Sequence, residues 1–250
     1  MSVHPVGTFC FAELLTPEPE TSARFYRSLL NWKDRPIRAG YSIFELDGRA
    51  VAGLRRSTEH RWVGYVHVAD VDQIVTRALE LGATVAAGTV DTPGVARTCL
   101  FADPEGAIVG LWSPRGVDGT AVDTGPGSFW WMELATRHMA TAGSFYARLF
   151  GWDLVHTMKF ENGPLGYTLF KVNERSTGGA FQFEPGWGLT PTWQVYFEVE
   201  NYDAAVSLAC DLGAEEGFSR DVPQVGRIGV IVVPGGAIFL IAAPLKSVST

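Results

Sequence analysis

The chain has 250 residues, 46% hydrophobic and 19% charged, a globular composition long enough for two domains and foreign to disordered or fibrous classes. Its net charge of −7, with no cluster of Lys and Arg, lacks the electrostatic footprint of a nucleic-acid or anionic-membrane surface, so the expected partner is a small molecule or another protein. No stretch approaches the roughly 20 apolar residues that span a bilayer, and the opening Met1-Ser2-Val3-His4-Pro5 has neither a basic segment nor an apolar run, which points to a cytoplasmic protein.

In chain order, Thr8 to Leu15 reads as a strand whose alternation puts Phe9, Phe11 and Glu13 on one face. Glu18 to Leu30 reads as an amphipathic helix carrying Phe25-Tyr26 and followed by Trp32, and Tyr41 to Leu46 and Val51 to Arg55 read as strands. Val63 to Val68 is a strand with Tyr65 and His67 on one face. Val71 to Leu81 is a helix stopped by Gly82, and Thr98 to Ala102 with Ile108 to Trp112 make a hairpin around Asp103-Pro104-Glu105-Gly106. The stretch from Arg115 to Gly127 is small, polar and glycine-rich, as linkers are.

Beyond the linker the chain repeats itself. Phe11-Ala12-Glu13-Leu14-Leu15-Thr16, Phe25-Tyr26 and Trp32 return 120 residues later as Trp131-Met132-Glu133-Leu134-Ala135-Thr136, Phe145-Tyr146 and Trp152. Trp62-x-x-Tyr65-x-His67-Val68, Asp72 and Leu81-Gly82-Ala83 return as Trp193-x-x-Tyr196-x-Glu198-Val199, Asp203 and Leu212-Gly213-Ala214. Two copies of one domain follow, 1–114 and 128–250 about the linker 115–127. Each is built from two units of strand, helix, then two or three strands. The expected class is α+β, with curved mixed sheets, helices outside and a concave inner face suited to a ligand. Cys10, Cys99 and Cys210 are widely spaced and odd in number, so buried free thiols are expected.

The Glu in the opening strand, Phe-Tyr on the first helix followed by Leu and Trp, Tyr-x-His-Val before a helix ending Leu-Gly-Ala, and Asp-Pro-Glu-Gly before the last strand together resemble the vicinal oxygen chelate superfamily. That superfamily includes glyoxalase I, bleomycin-resistance proteins and extradiol dioxygenases. The resemblance covers nearly the whole chain in tandem form. In its metal-dependent members four strands each give one side chain to a divalent ion. Carried over by position, the first copy offers Glu13 and His67 but Gly53 and Gly110, and the second offers Glu133 and Glu198 but Gly179 and Leu240. Half of each ligand set is missing, whereas catalytic sites use about three protein ligands. No tightly bound metal and no cofactor is expected.

What remains is ionisable groups in an aromatic setting. Glu13 with His67, or Glu133 with Glu198, are candidate acid and base pairs. Phe11, Tyr65 and Trp112 in the first copy, and Phe129, Trp131 and Tyr196 in the second, are candidate walls for a flat aromatic or polyketide-like ligand. Trp32, Trp62, Trp152 and Trp193 are expected in the cores. His4, His60, His138 and His156 show no partner pattern and are expected on the surface or in loops. Arg97 and Arg227, at equivalent places, either clamp an anion or form a repeated salt bridge. The second copy has Val233 and Gly235 where the first has Asp103 and Glu105, so two inequivalent clefts are expected.

Three functions compete. One is a metal-independent acid–base enzyme of the isomerase, cyclase, epoxide-opening or lyase type acting on an aromatic or polyketide-like metabolite. Another is a resistance protein that sequesters such a metabolite. The third, a metal-dependent glyoxalase or dioxygenase, is disfavoured by the missing ligands. A monomer and a homodimer are both compatible with the tandem repeat.

Overall fold

The computed structural model describes residues 4–122, 124–157 and 166–245. The expected domain limits at residues 1 and 250, linker residue Asp123 and the opening Met1-Ser2-Val3 lie outside them. The first repeat runs β1 (Phe9–Thr16), α1 (Pro19–Leu30), β2 (Lys33–Arg38), β3 (Tyr41–Leu46) and β4 (Arg49–Arg56), then β5 (Arg61–His67), α2 (Val71–Glu80), β6 (Thr84–Thr92), β7 (Ala96–Ala102) and β8 (Ile108–Pro114). The second runs β9 (Phe129–Thr136), α3 (Met139–Phe150), β10 (Asp153–Thr157), β11 (Tyr167–Val172) and β12 (Arg175–Gln182), then β13 (Thr192–Glu198), α4 (Tyr202–Asp211), β14 (Glu215–Val222), β15 (Gly226–Val232) and β16 (Ile238–Pro244). No helix among the described residues is long and apolar enough to cross a membrane.

Each repeat forms one eight-stranded sheet, ordered β2-β3-β4-β1-β5-β8-β7-β6 and β10-β11-β12-β9-β13-β16-β15-β14. The last strand of every module lies parallel to its first, while the strands joined by tight turns are antiparallel. This is the expected mixed α+β architecture, with three strands after every helix. The strands missing from the sequence reading, β2, β6, β10 and β14, are the sheet edges. β2 reads Lys33-Asp34-Arg35-Pro36-Ile37-Arg38 and β6 is exposed along nearly all its length. Charge and proline suit an edge, because they discourage pairing with another chain, and they erase the alternation that marks inner strands.

The repeated Leu-Gly-Ala has a backbone cause. Gly82 and Gly213 have φ of 94° and 90°, a region glycine enters without steric cost. That turn lets Ala83 N–H reach the Ala78 carbonyl at 3.0 Å and Ala214 N–H the Ala209 carbonyl at 2.9 Å, closing the C-terminal ends of α2 and α4. At their starts, Asp70 and Asn201 accept from the N–H groups of Gln73 and Ala204.

By contact the chain divides into two compact units, one of residues 1–11, 63–119 and 131–194, the other of residues 12–62, 120–130 and 195–250. The first unit thus joins the second module of the first repeat to the first module of the second repeat, and the second unit joins the other two. Aromatic groups centre both cores. In the first unit Tyr146 stacks on Trp152 at 5.4 Å and accepts from Trp193 Nε1 at 2.7 Å. In the second, Tyr26 stacks on Trp32 at 5.9 Å and accepts from Trp62 Nε1 at 2.8 Å. All four tryptophans are buried.

The β7–β8 turn belongs to the first unit. Asp103 accepts from the N–H groups of Glu105 and Ala107, both at 2.9 Å, and from the Tyr146 hydroxyl at 2.8 Å. Glu105 accepts from the Thr136 hydroxyl, the N–H groups of Arg137 and His138, and His138 Nδ1. Burial works to raise the Glu105 carboxyl, but the bonds from Thr136 and His138 outweigh it and hold the carboxyl below its ordinary range. The N-cap residue of α3, His138, makes no side-chain capping bond; Glu105 reaches from another module to cap the N–H groups of Arg137 and His138 just ahead of the helix, and Gln182 Oε1 accepts from Met139 N–H. Glu105→Ala is expected to cost about 1–2 kcal/mol in urea unfolding at neutral pH. An unchanged midpoint would show that the cap carries no weight.

Arg97 pairs with Asp72 at 2.8 Å and also with Asp91, and Arg227 pairs with Asp203 at 3.3 Å, so the repeated arginines are a repeated salt bridge. Cys10 and Cys99 are buried free thiols. Cys210 corrects the expectation, being exposed one residue beyond Ala209, which takes the buried stripe of α4. His138 has a partner, Glu105, that its local sequence does not show.

Candidate functional site

Strand register fixes the equivalent positions of the two sheets. Glu13 lies opposite Gly53 across β1 and β4, and Glu133 opposite Gly179 across β9 and β12. The next strand outward places Tyr41 opposite Arg55 and Tyr167 opposite Phe181. The two carboxylates therefore share one framework: a glycine across the ladder, a tyrosine on the third strand, and one position that differs, Arg55 in the first sheet and Phe181 in the second.

Glu13 is fully buried, and its Oε1 accepts from the Tyr41 hydroxyl at 2.7 Å while its Oε2 pairs with Arg55 Nη2 at 2.9 Å. The carboxylate takes the space above Gly53, where a Cβ would come within 2.6 Å of its Cγ. Tyr41 and Ile43 close the same face, both buried. Glu13 is a neutralised, enclosed carboxylate in the second unit.

Glu133, in the first unit, is buried too, and the register position equivalent to Arg55 is held there by Phe181. Its face carries Trp131, Tyr167 and Leu169, all half-buried, with Phe181 and Phe183 packed beside Ala135 and Tyr167. Trp131 Nε1 donates to the Tyr167 hydroxyl at 2.9 Å. Here the glycine makes room for the phenol, since a Cβ at Gly179 would overlap the Tyr167 hydroxyl oxygen. Glu133 is thus a buried carboxyl on the strand face that also carries half-buried Trp131.

The other expected residues fall as follows. His67 is buried in the first unit, and its Nδ1 lies 2.6 Å from the His4 carbonyl. A carbonyl only accepts, so Nδ1 carries the proton, and Nε2 is the nitrogen left for proton transfer. Glu198, in the second unit, is half-buried and accepts from Gly125 N–H at 2.9 Å. Phe11, Tyr65 and Trp112 form a closed cluster with Phe11 and Tyr65 4.6 and 5.5 Å from Trp112, whose Nε1 donates to the Val117 carbonyl. Tyr196 is buried 6.0 Å from Trp130, and Phe129 is half-buried in the same unit. Both expected pairs, Glu13 with His67 and Glu133 with Glu198, are divided between the units.

The sequence reading did not single out Tyr41, Arg55, Tyr167 or Phe181. A signal was present, since Tyr41-Ser-Ile-Phe44 and Tyr167-Thr-Leu-Phe170 are the same short strand written twice.

Comparison with known proteins places the chain. Residues 8–110 match the model of the glyoxalase-like domain. A Mycobacterium tuberculosis protein named "Putative glyoxylase CFP32" is 31% identical over 251 residues, 95% of each chain. The chain belongs to the vicinal oxygen chelate superfamily. Within it, the anthracycline biosynthesis protein DauV of a Streptomyces species is 30% identical over 258 residues, covering 93% of this chain and 92% of DauV. The Mn(II)-bound glyoxalase of Novosphingobium aromaticivorans has the same fold, with a TM-score of 0.66 at 16% identity over 94% of this chain and 81% of that one.

A divalent ion of the superfamily's kind does not fit these residues. At the ligand positions opposite the two glutamates stand Gly53 and Gly179, the space above them taken by Glu13 and by the Tyr167 hydroxyl. Gly110 lies opposite Tyr65, whose ring fills the space a Cβ would need, and Leu240 lies opposite Tyr196. Among the described residues no three of His, Cys, Asp and Glu come together as a ligand group.

Proposed function

We propose that this vicinal oxygen chelate protein is an enzyme of secondary metabolism that moves a proton on an aromatic, polyketide-like metabolite without a tightly bound metal, with Glu133 as the group that moves it. The observation that carries this reading is Glu133 itself, a buried carboxyl on the strand face that also presents the half-buried ring of Trp131. Trp131 and Tyr167 supply flat, half-buried walls for fused rings, and the relationship to an anthracycline biosynthesis protein supports a ligand of that kind.

In this reading Glu133 removes a proton from a carbon or oxygen beside a ligand carbonyl, or returns one. Such a transfer serves isomerisation, cyclisation, epoxide opening or elimination alike. Glu13 is not needed, because both of its oxygens are engaged.

The test is to incubate wild type and Glu133→Gln with a panel of hydroxylated anthraquinones and anthracyclinones, following conversion by mass spectrometry and binding by calorimetry. Wild type is expected to convert at least one compound, and Glu133→Gln to be slower by about 100-fold or more while still binding it. Tight binding without conversion would favour sequestration, for which the half-buried Trp131 and Tyr167 also suit the face. Equal turnover by the variant would remove Glu133 from the chemistry.

A further inference from the structure

The two copies differ in length between their modules. Ser57 N–H bonds the Thr16 carbonyl at 2.9 Å where β4 ends, and Phe183 N–H bonds the Thr136 carbonyl at 3.0 Å where β12 ends, so the two connections leave their sheets alike. The first reaches β5 in four residues, Ser57-Thr58-Glu59-His60, which are polar throughout. The second takes nine residues, 183–191, to reach β13, and reads Phe183-Glu184-Pro185-Gly186-Trp187-Gly188-Leu189-Thr190-Pro191. The added length carries apolar side chains into water, with Trp187 47% exposed and Leu189 40%.

An exposed apolar residue needs no explanation by itself, but Trp187 is held by a backbone chosen for the purpose. Its N–H reaches the Glu184 carbonyl at 3.2 Å across a turn with Pro185 second and Gly186, at a φ of 103°, third, the residue choice of a type II turn. Gly188, at a φ of 72°, redirects the chain directly after the indole. A large ring presented on a backbone fixed from both sides gives up little freedom when it makes a contact.

The base of the loop places it. Phe183 is buried with Phe181 and Ala135, and Tyr167 packs against that cluster. Alternation along β12 puts residues 179, 181 and 183 on one face, and Gly179 lies across the ladder from Glu133. From Gly179 to Phe183 the strand advances about 13 Å, at about 3.3 Å per residue, so the loop starts at the end of the Glu133 face and not over the carboxyl. Four further residues hold Trp187 within about 14 Å of Phe183. The whole loop belongs to the unit that contains Glu133.

We infer that Trp187 is a specificity-determining residue that stacks on the outer ring of a fused-ring ligand running from Glu133 along β12. This rests on the aromatic-ligand reading of the Glu133 face and adds the shape of the ligand: several fused rings, because a single ring held at Glu133 ends short of the loop.

The test titrates 1,4-dihydroxyanthraquinone, with three rings, and 2,5-dihydroxyacetophenone, with one, into wild type, Trp187→Ala and Trp187→Phe by calorimetry. Wild type is expected to favour the three-ring compound by about tenfold or more. Trp187→Ala is expected to weaken binding of that compound about tenfold and Trp187→Phe, which keeps a ring, under about threefold. The side chain is exposed, so urea midpoints of both variants are expected to match wild type and a folding defect is not confounding. Three-ring binding unchanged by Trp187→Ala overturns the inference and leaves the aromatic-ligand reading standing, and so does equal binding of the two compounds by wild type. A change of oligomeric state in sedimentation velocity with that affinity unchanged would assign Trp187 to a contact between copies and equally overturn it. Binding of neither compound by wild type removes both readings.

Discussion

Arg55→Ala is expected to destabilise the protein by about 3–5 kcal/mol, among the largest losses any single substitution should cause. The partner left behind is Glu13, with no exposed surface, on a strand whose neighbours Ala12 and Leu14 are also fully buried. An ion pair in such a place contributes little by forming, because desolvation consumes most of the attraction, but breaking it strands a charge that water cannot reach. Tyr41 would still donate to Oε1, and one neutral donor does not replace a guanidinium. Glu13→Gln in the Arg55→Ala background is expected to recover much of the loss, because the double variant no longer buries a net charge. Unfolding in urea, followed by two probes because the chain has two units, measures the cycle. The same truncation at Arg97 should cost far less, since its pairs with Asp72 and Asp91 are solvated. A loss below about 1 kcal/mol at Arg55 would mean that Glu13 is reached by water.

The fold was open to reading because tandem repetition doubled every signal. Phe-Tyr followed by Trp, and Leu-Gly-Ala after each second helix, mark helix ends set by local backbone chemistry, so they appear in the sequence at the places they occupy in space. Edge strands were not legible, because β2 and β6 are selected for charge and exposure, which leave no period. The candidate site was half legible. Glu13 and Glu133 stand out as carboxylates in apolar strands, and register confirms Gly53 and Gly179 opposite them. What separates the two glutamates was not visible, because it lies on the neighbouring strand of the sheet but more than 40 residues away in the chain. Arg55 and Phe181 become neighbours of those carboxylates only through strand pairing. The aromatic candidates show the same limit. Alternation finds Phe11, Tyr65 and Trp112 on strand faces, but burial depends on what packs over the face, and Trp112 is fully enclosed while Trp131 is not.

Asp103→Val is expected to cost about 3 kcal/mol near neutral pH, although the second repeat carries Val233 at the same place. The backbone is not the obstacle: Asp103 N–H to the Ala107 carbonyl at 2.9 Å is mirrored by Val233 N–H to the Ala237 carbonyl at 3.0 Å. The difference lies in the donors aimed at the side chain. The Tyr146 hydroxyl and the N–H groups of Glu105 and Ala107 all end on Asp103, and valine would leave them without that acceptor in a buried turn. Each buried, unsatisfied donor costs about 1–3 kcal/mol, and the sum is reduced because removing the carboxyl also removes its own desolvation. That desolvation is visible in the titration. Burial raises the Asp103 carboxyl above its ordinary range, against the lowering effect of Tyr146 and the two N–H groups, with Glu105 pushing it up further. A folded-state pKa above the unfolded one means that the folded protein holds the proton more tightly. The contribution of Asp103 is then fullest below the unfolded pKa and is lost as pH rises through the folded one. The penalty for Asp103→Val should therefore grow as pH falls from neutral toward 4. Glu105, whose carboxyl is lowered, behaves oppositely, its contribution being lost as pH falls. Urea midpoints of wild type and variant at pH 7.5 and pH 4.5 separate the two. A penalty that shrinks on acidification would show that Asp103 acts in the turn as an ordinary solvated carboxylate.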